Sequence, residues 1–161
     1  MKKLILLFTL LFVITLNAQE QPQETPLVNE IKLNVGYSLL AVPEFSFERI
    51  LNEESSVGIS LAVSIDNDVD LNYILTPYYR FFFGKKHAAG FFIEGNAAVF
   101  SEQYNFKNET GFGLGIAVGG KFLSKRNWIG ELHLGLGRTL INEDKIAEAY
   151  PRVGISIGKR F

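Results

Sequence analysis

Three residues in the last third of the chain carry groups that could do acyl-transfer chemistry: Glu131, His133 and Ser156. Glu131 and His133 are two apart, so on a strand they share a face. Ser156 lies on the polar face of the next alternating segment. A serine nucleophile, an imidazole that takes its proton and a carboxylate that orients the ring would support hydrolysis or acyl transfer. Such a set needs substrate access, and a face pointing into a filled interior offers none. The simpler reading is a hydrogen-bonded polar interior.

A second candidate is Asp66-Asn67-Asp68-Val69-Asp70, which opens like a calcium loop. Leu71 stands where that loop needs glycine and Pro77 where it needs its distal glutamate, so an EF-hand-type site is excluded. A solvated acidic loop is the expectation, ahead of loose divalent-cation binding. The chain has no cysteine, which excludes a lipobox, a disulfide and a thiolate metal site. Gly111-Phe112-Gly113-Leu114-Gly115 alternates as a strand and is no phosphate loop. A formal net charge of −1 gives no case for nucleic acid. No catalytic residue, cofactor or metal is expected.

The elements that hold these residues follow from period-two alternation. Met1-Lys2-Lys3, the apolar run Leu4–Leu16 and Asn17-Ala18-Gln19 read as a secretory signal peptide over 1–18. Residues 19–29, with Pro22 and Pro26 among Gln and Glu, read as a flexible periplasmic lead-in. The domain is 30–161, and it carries eight alternating segments. They are Ile31–Leu40, Glu44–Leu51, Val57–Ile65, Leu71–Phe83, Gly90–Phe100, Gly111–Leu123, Trp128–Leu140 and Tyr150–Phe161. Ser101–Thr110 and Ile141–Ala149 read as loops. Eight strands predict an all-β, antiparallel, up-and-down transmembrane barrel.

The polar face decides which side is inward. It is mostly Gly, Ala and Ser, with isolated charges at Lys32, Glu44, Glu48, Arg80, Glu94, Lys121, Glu131, Arg152 and Arg160. A soluble ligand-binding barrel would turn its apolar face inward and carry a solvated Lys/Glu surface. This pattern instead suits a packed polar lumen with the apolar face on lipid. Two ion pairs follow from hairpin register. Centring a hairpin on His87 sets Arg80 opposite Glu94, and centring one on Arg126 sets Lys121 opposite Glu131. A one-residue slip would put Arg80 and Lys121 into lipid, at about 2–4 kcal/mol each near the midplane.

Inward glycines cluster on segments six to eight, and bulky inward groups (Tyr78, Arg80, Phe82) on segment four. The expectation is that segment four crosses the lumen onto that glycine wall. Even strand number puts both termini on the periplasmic side and the two longest loops outside. Aromatics at strand ends (Tyr73, Phe81, Phe83, Phe91, Phe122, Trp128, Phe161) fit interfacial girdles. Arg49 and Arg138 face outward near the rims, where interface anchoring explains them.

The last segment, with Val153, Ile155, Ile157 and Phe161 on its apolar face, resembles the terminal-strand signal read by the outer-membrane barrel assembly machinery. Lys159 departs from that pattern, in a place where an apolar residue is usual. The whole mature chain is similar to small outer-membrane β-barrels of the OmpA/OmpX kind. It is more similar still to a group of uncharacterised small outer-membrane barrels, through Phe47-Glu48-Arg49, Pro77 to Phe83 and Gly158 to Phe161. The resemblance implies a monomer in the outer membrane of a Gram-negative-type cell, among lipid and lipopolysaccharide, with an extracellular partner met through the loops. The function expected is structural or surface-interacting. The alternatives are an envelope lipid-modifying acyl hydrolase or transferase, and a narrow solute conduit.

Overall fold

Alternating residues of a strand leave on opposite faces, so a sheet whose one face is small and polar can close around it. The computed structural model describes residues 28–66, 71–84, 86–104, 107–142 and 146–161. The expected signal peptide over 1–18, most of the expected lead-in and residues 67–70 lie outside them. The strands are β1 (Asn29–Asn34), β2 (Glu44–Ile50), β3 (Ser55–Val63), β4 (Leu71–Phe82), β5 (Gly90–Tyr104), β6 (Lys107–Leu123), β7 (Trp128–Ile141) and β8 (Ala149–Arg160). Each pairs antiparallel with its sequence neighbour, and β1 pairs with β8 to close the barrel.

Burial alternates along the strands. On β8, Arg152, Gly154, Ser156, Gly158 and Arg160 are buried, while Ile155, Ile157 and Lys159 are exposed. The same rule puts Ile59, Leu61, Ile116, Leu132 and Leu134 outside. The chain ends at the end of the barrel where it starts, because Asn29 and Phe161 exchange backbone hydrogen bonds at 2.9 and 2.8 Å.

Three expectations are corrected. The first segment is a strand only to Asn34. Residues Val35–Ser38 form a single helical turn, α1. Asn34 is the reason: its side chain accepts from the Tyr37 amide at 3.2 Å, and its carbonyl accepts from Ser38 Oγ at 2.7 Å. This N-cap outcompetes the strand that Val35, Tyr37 and Leu39 would otherwise continue.

The second correction concerns Ser101–Thr110. Most of it is paired strand, with Ser101↔Thr110, Glu102↔Glu109, Gln103↔Asn108 and Tyr104↔Lys107 in register. Backbone pairing does not require apolar side chains, so hydropathy falls off before the ladder does.

The third is the glycine wall. Strand β4 does not cover it. Tyr78 lies on Gly58 of the adjacent β3, whose missing side chain leaves room for the ring. The glycines of β6–β8 are covered by Tyr150 (Gly113, Gly115, Gly137), Phe92 and His133 (Gly119), and Lys32 (Gly158). Each of these glycines is covered from β1, β5, β7 or β8, and not from β4 opposite.

The turn between β4 and β5 also packs inward. It folds into the barrel end, where Ala88 is fully buried against Ile50, Phe82 and Phe92. Ala88 sits at φ +43°, and its amide donates to the Glu53 carbonyl at 2.7 Å. The interior therefore has three layers: this apolar plug, a charged middle, and a second apolar cluster of Ala98, Phe100, Ile146 and Tyr150 at the far end.

Candidate functional site

Five carboxylates and five cations are buried in the middle layer and beside the plug: Glu30, Glu44, Glu48, Glu94 and Glu131, with Lys32, Arg80, Lys121, Arg152 and Arg160. Every one comes from an inward position of a strand. Equal numbers leave that interior formally neutral with His133 uncharged, which is the condition for burying so many charges together.

Glu48 is the hub. One oxygen accepts from Ser56 Oγ at 2.6 Å and from Lys121 Nζ. The other accepts from Lys32 Nζ at 2.6 Å, Arg80 at 2.9 Å and Tyr78 Oη at 3.2 Å. Arg80 also donates to Glu94 at 2.8 Å and Glu131 at 2.7 Å. Its guanidinium lies between two aromatic rings, 4.3 Å from the Phe92 centroid and 4.5 Å from that of Tyr78. A planar cation with five fixed donors suits this position, where a lysine could not bond and stack at once. Arg152 links Glu94 (2.8 Å) to Glu44 (2.6 Å). Arg160 bonds Glu30 at 2.9 Å and the carbonyls of His87 and Ala88, tying the network to the plug.

The two pairs expected from hairpin register fare differently. Arg80 and Glu94 are register partners and bond directly. Lys121 and Glu131 are also register partners, but Lys121 bonds Glu30 and Glu48 across the interior, while Glu131 takes Lys32 and Arg80. Long side chains reaching inward choose among all carboxylates within a few ångström, and β1 and β2 offer better ones than the strand next door. Glu30 shares the parity of Lys32, so extending the first strand by one residue would have found it. Glu48 was visible as one inward charge among others, but its central place was not.

Glu131, His133 and Ser156 are brought near one another without forming a nucleophile–base chain. Glu131 pairs with Ser156 in the β7–β8 ladder, and His133 pairs with Gly154. The imidazole occupies the space that Gly154 leaves open. Its Nδ1 comes within 3.4 Å of Glu131 Oε1, but neither ring nitrogen makes a hydrogen bond, to Ser156 or to any other described residue. No group of three His, Cys, Asp or Glu among the described residues could hold a metal. No helix among them is long and apolar enough to cross a membrane, which says nothing of strands.

Six of the seven strand-end aromatics gather at the end where β1 starts and β8 finishes. Phe83 packs edge-on against Phe81 at 5.1 Å and lies 5.9 Å from Phe91. Lys159, the departure in the terminal strand, lies outward over Trp128 at 5.3 Å and donates to the Arg126 carbonyl at 2.7 Å. Its stem crosses apolar surface while its ammonium reaches the rim.

A model of a protein family of unknown function, DUF3575, matches residues 4–159. The chain belongs to the DUF3575 family. No curated protein and no solved structure matches it. The match covers the barrel except the last residue of β8, so the ion-paired interior apart from Arg160 lies within the matched residues.

Proposed function

We propose that this chain is an outer-membrane β-barrel with a structural or surface-interaction role, both termini periplasmic, and an interior that does no catalysis. One observation carries the reading: large apolar side chains stand exposed on the outward faces all around the barrel, over an interior of paired charges. A soluble monomer rarely exposes apolar patches beyond a few hundred Å². A barrel in lipid requires such a belt, because closure is the only way for strands to satisfy their backbone there.

The lengths of β3–β8, 9 to 17 residues, support the same reading. About 9–11 tilted residues cross the hydrocarbon core, whereas β5 has 15 residues and β6 has 17. The surplus is a polar paired arm at the end away from the termini. Glu102 braces it by accepting from the Ala147 amide at 3.1 Å, and Asn108 by accepting from Asn72 at 3.2 Å. This arm and the 141–149 connection are where an external partner would be met. The terminal strand, with Val153, Ile155, Ile157 and Phe161, fits a substrate of the barrel assembly machinery.

Fractionation with gel mobility before and after heating tests the assignment. A heat-modifiable band in the outer-membrane fraction is expected, and a protein soluble without detergent refutes it. The three-layer interior supports a closed barrel over a conduit. Reconstitution in planar bilayers should give no stable conductance, and discrete channels would overturn that part.

A further inference from the structure

The interior departs from its polar rule at the end away from the termini. There Leu71, Ile74, Phe100 and Tyr150 face inward, and with Leu40 and Val42 they line a cavity of about 260 Å³. Tyr150 closes it below by donating its hydroxyl to Asn96 Oδ1 at 2.7 Å. Among the described residues Glu102 is the one charged residue in the lining, and it already accepts from Ala147. A cavity lined this way offers water few partners and favours an apolar guest.

The wall beside it is incomplete as a sheet. Pairing of β1 with β8 stops at Asn34↔Ser156. Beyond that point α1 lies along β8, and three side-chain bonds stand in for a ladder. The Ile155 amide donates to Asn34 Oδ1 at 3.2 Å, Asn34 Nδ2 donates to the Val153 carbonyl at 3.1 Å, and Tyr37 Oη donates to the Pro151 carbonyl at 3.1 Å. Pro151 has no amide to leave unpaired on this edge. Tyr37 and Leu40 line the inner cavity and also an apolar groove of about 560 Å³ on the outward face, walled by Leu132, Leu134, Val153 and Ile155. One helical turn thus separates an outward apolar groove from an inward apolar cup.

We propose that the cup receives the acyl chain of a lipid, which enters sideways through the β1–β8 seam when α1 moves off β8. This rests on the reading that the outward face meets lipid. Among the described residues no cation lines the cup, so it takes the chain and leaves the headgroup outside. The seam suits this use because a few side-chain bonds open more readily than a continuous ladder.

Gly36 supplies the test. A Cβ built there would lie 3.8 Å from Ile155 Cβ, within the spacing a disulfide needs, and the chain has no cysteine to interfere. The full barrel carrying Gly36→Cys and Ile155→Cys, with labelled isoleucine methyls, is placed in phosphatidylcholine nanodiscs. Nuclear Overhauser contacts from lipid chain methylenes are then read with the pair reduced and oxidised. Contacts at the inward Ile74 and Ile146 methyls when reduced, lost on oxidation and regained on reduction, support the proposal. Contacts confined to the outward Ile59 and Ile116 overturn it. So do octanol-induced shifts at Ile74 and Ile146 that oxidation leaves unchanged and that no lipid contact accompanies, since the guest then comes from the aqueous mouth. Absence of lipid contacts at Ile59 and Ile116 themselves would instead show that the barrel is not in the bilayer. Wild-type contacts at Ile74 give the same reading of the cup if the double variant does not fold.

Discussion

Replacing Glu48 by glutamine keeps the shape of the hub and removes its charge. The carboxylate is fully buried and accepts from Lys32, Arg80 and Lys121 together. Each cation keeps another partner: Glu131 for Lys32, Glu94 and Glu131 for Arg80, Glu30 for Lys121. The variant therefore leaves one uncompensated positive charge in the ten-residue network rather than three orphaned ions. Breaking a buried pair by removing one partner costs about 3–5 kcal/mol, so Glu48→Gln should destabilise by about that much. Urea unfolding of the barrel refolded in lipid vesicles would measure it, with Trp128, the chain's single tryptophan, as the probe. Adding Lys32→Met restores neutrality and should recover at least half of the loss. Because the charges are enclosed, raising the salt should change the difference little. A cost below about 1 kcal/mol, or no rescue by Lys32→Met, would refute the reasoning and mean that water enters the network.

Other consequences can be measured in the same system. Asn34→Ala removes the cap of α1 and both bonds to β8; a loss of about 2–3 kcal/mol is expected, with faster amide exchange at Ile155, and unchanged exchange there would contradict the role given to Asn34. Gly137→Ala places a methyl in the Tyr150 ring and should cost about 1–3 kcal/mol. Gly130→Ala meets nothing within 4 Å and should stay within about 0.5 kcal/mol of the parent, so equal midpoints for the two would count against the packing described. Phe161→Ala keeps the backbone bonds to Asn29; unfolding should be nearly unchanged while the amount reaching the outer membrane falls, and normal assembly would remove the terminal strand from that role.

Much of this barrel is legible from alternation alone. Period two assigns Arg80, Glu94, Lys121, Glu131, Arg152 and Arg160 to one face, and the same six are buried in the structure. Hairpin register is legible too, because opposite charges facing across a turn leave few alternatives: both Arg80↔Glu94 and Lys121↔Glu131 are ladder partners. The physical basis is local. A strand's side-chain direction is set by its own pleat, and a hairpin's register by a turn of a few residues.

What sequence reading could not reach depends on groups far apart in the chain. Lys121 leaves its ladder neighbour for Glu30 and Glu48, 91 and 73 residues away, because strand tilt and stagger decide which carboxylates enter its reach. Asn34 caps α1 through its own neighbours, but the bonds that hold that turn against β8 reach Val153 and Ile155, more than a hundred residues on. The apolar cup exists only once Leu40, Ile74, Phe100 and Tyr150 are carried to one end by four separate elements. Alternation determined which side chains point inward; closure of the barrel alone decided which of them meet, since the distance across a lumen is no property of any one strand.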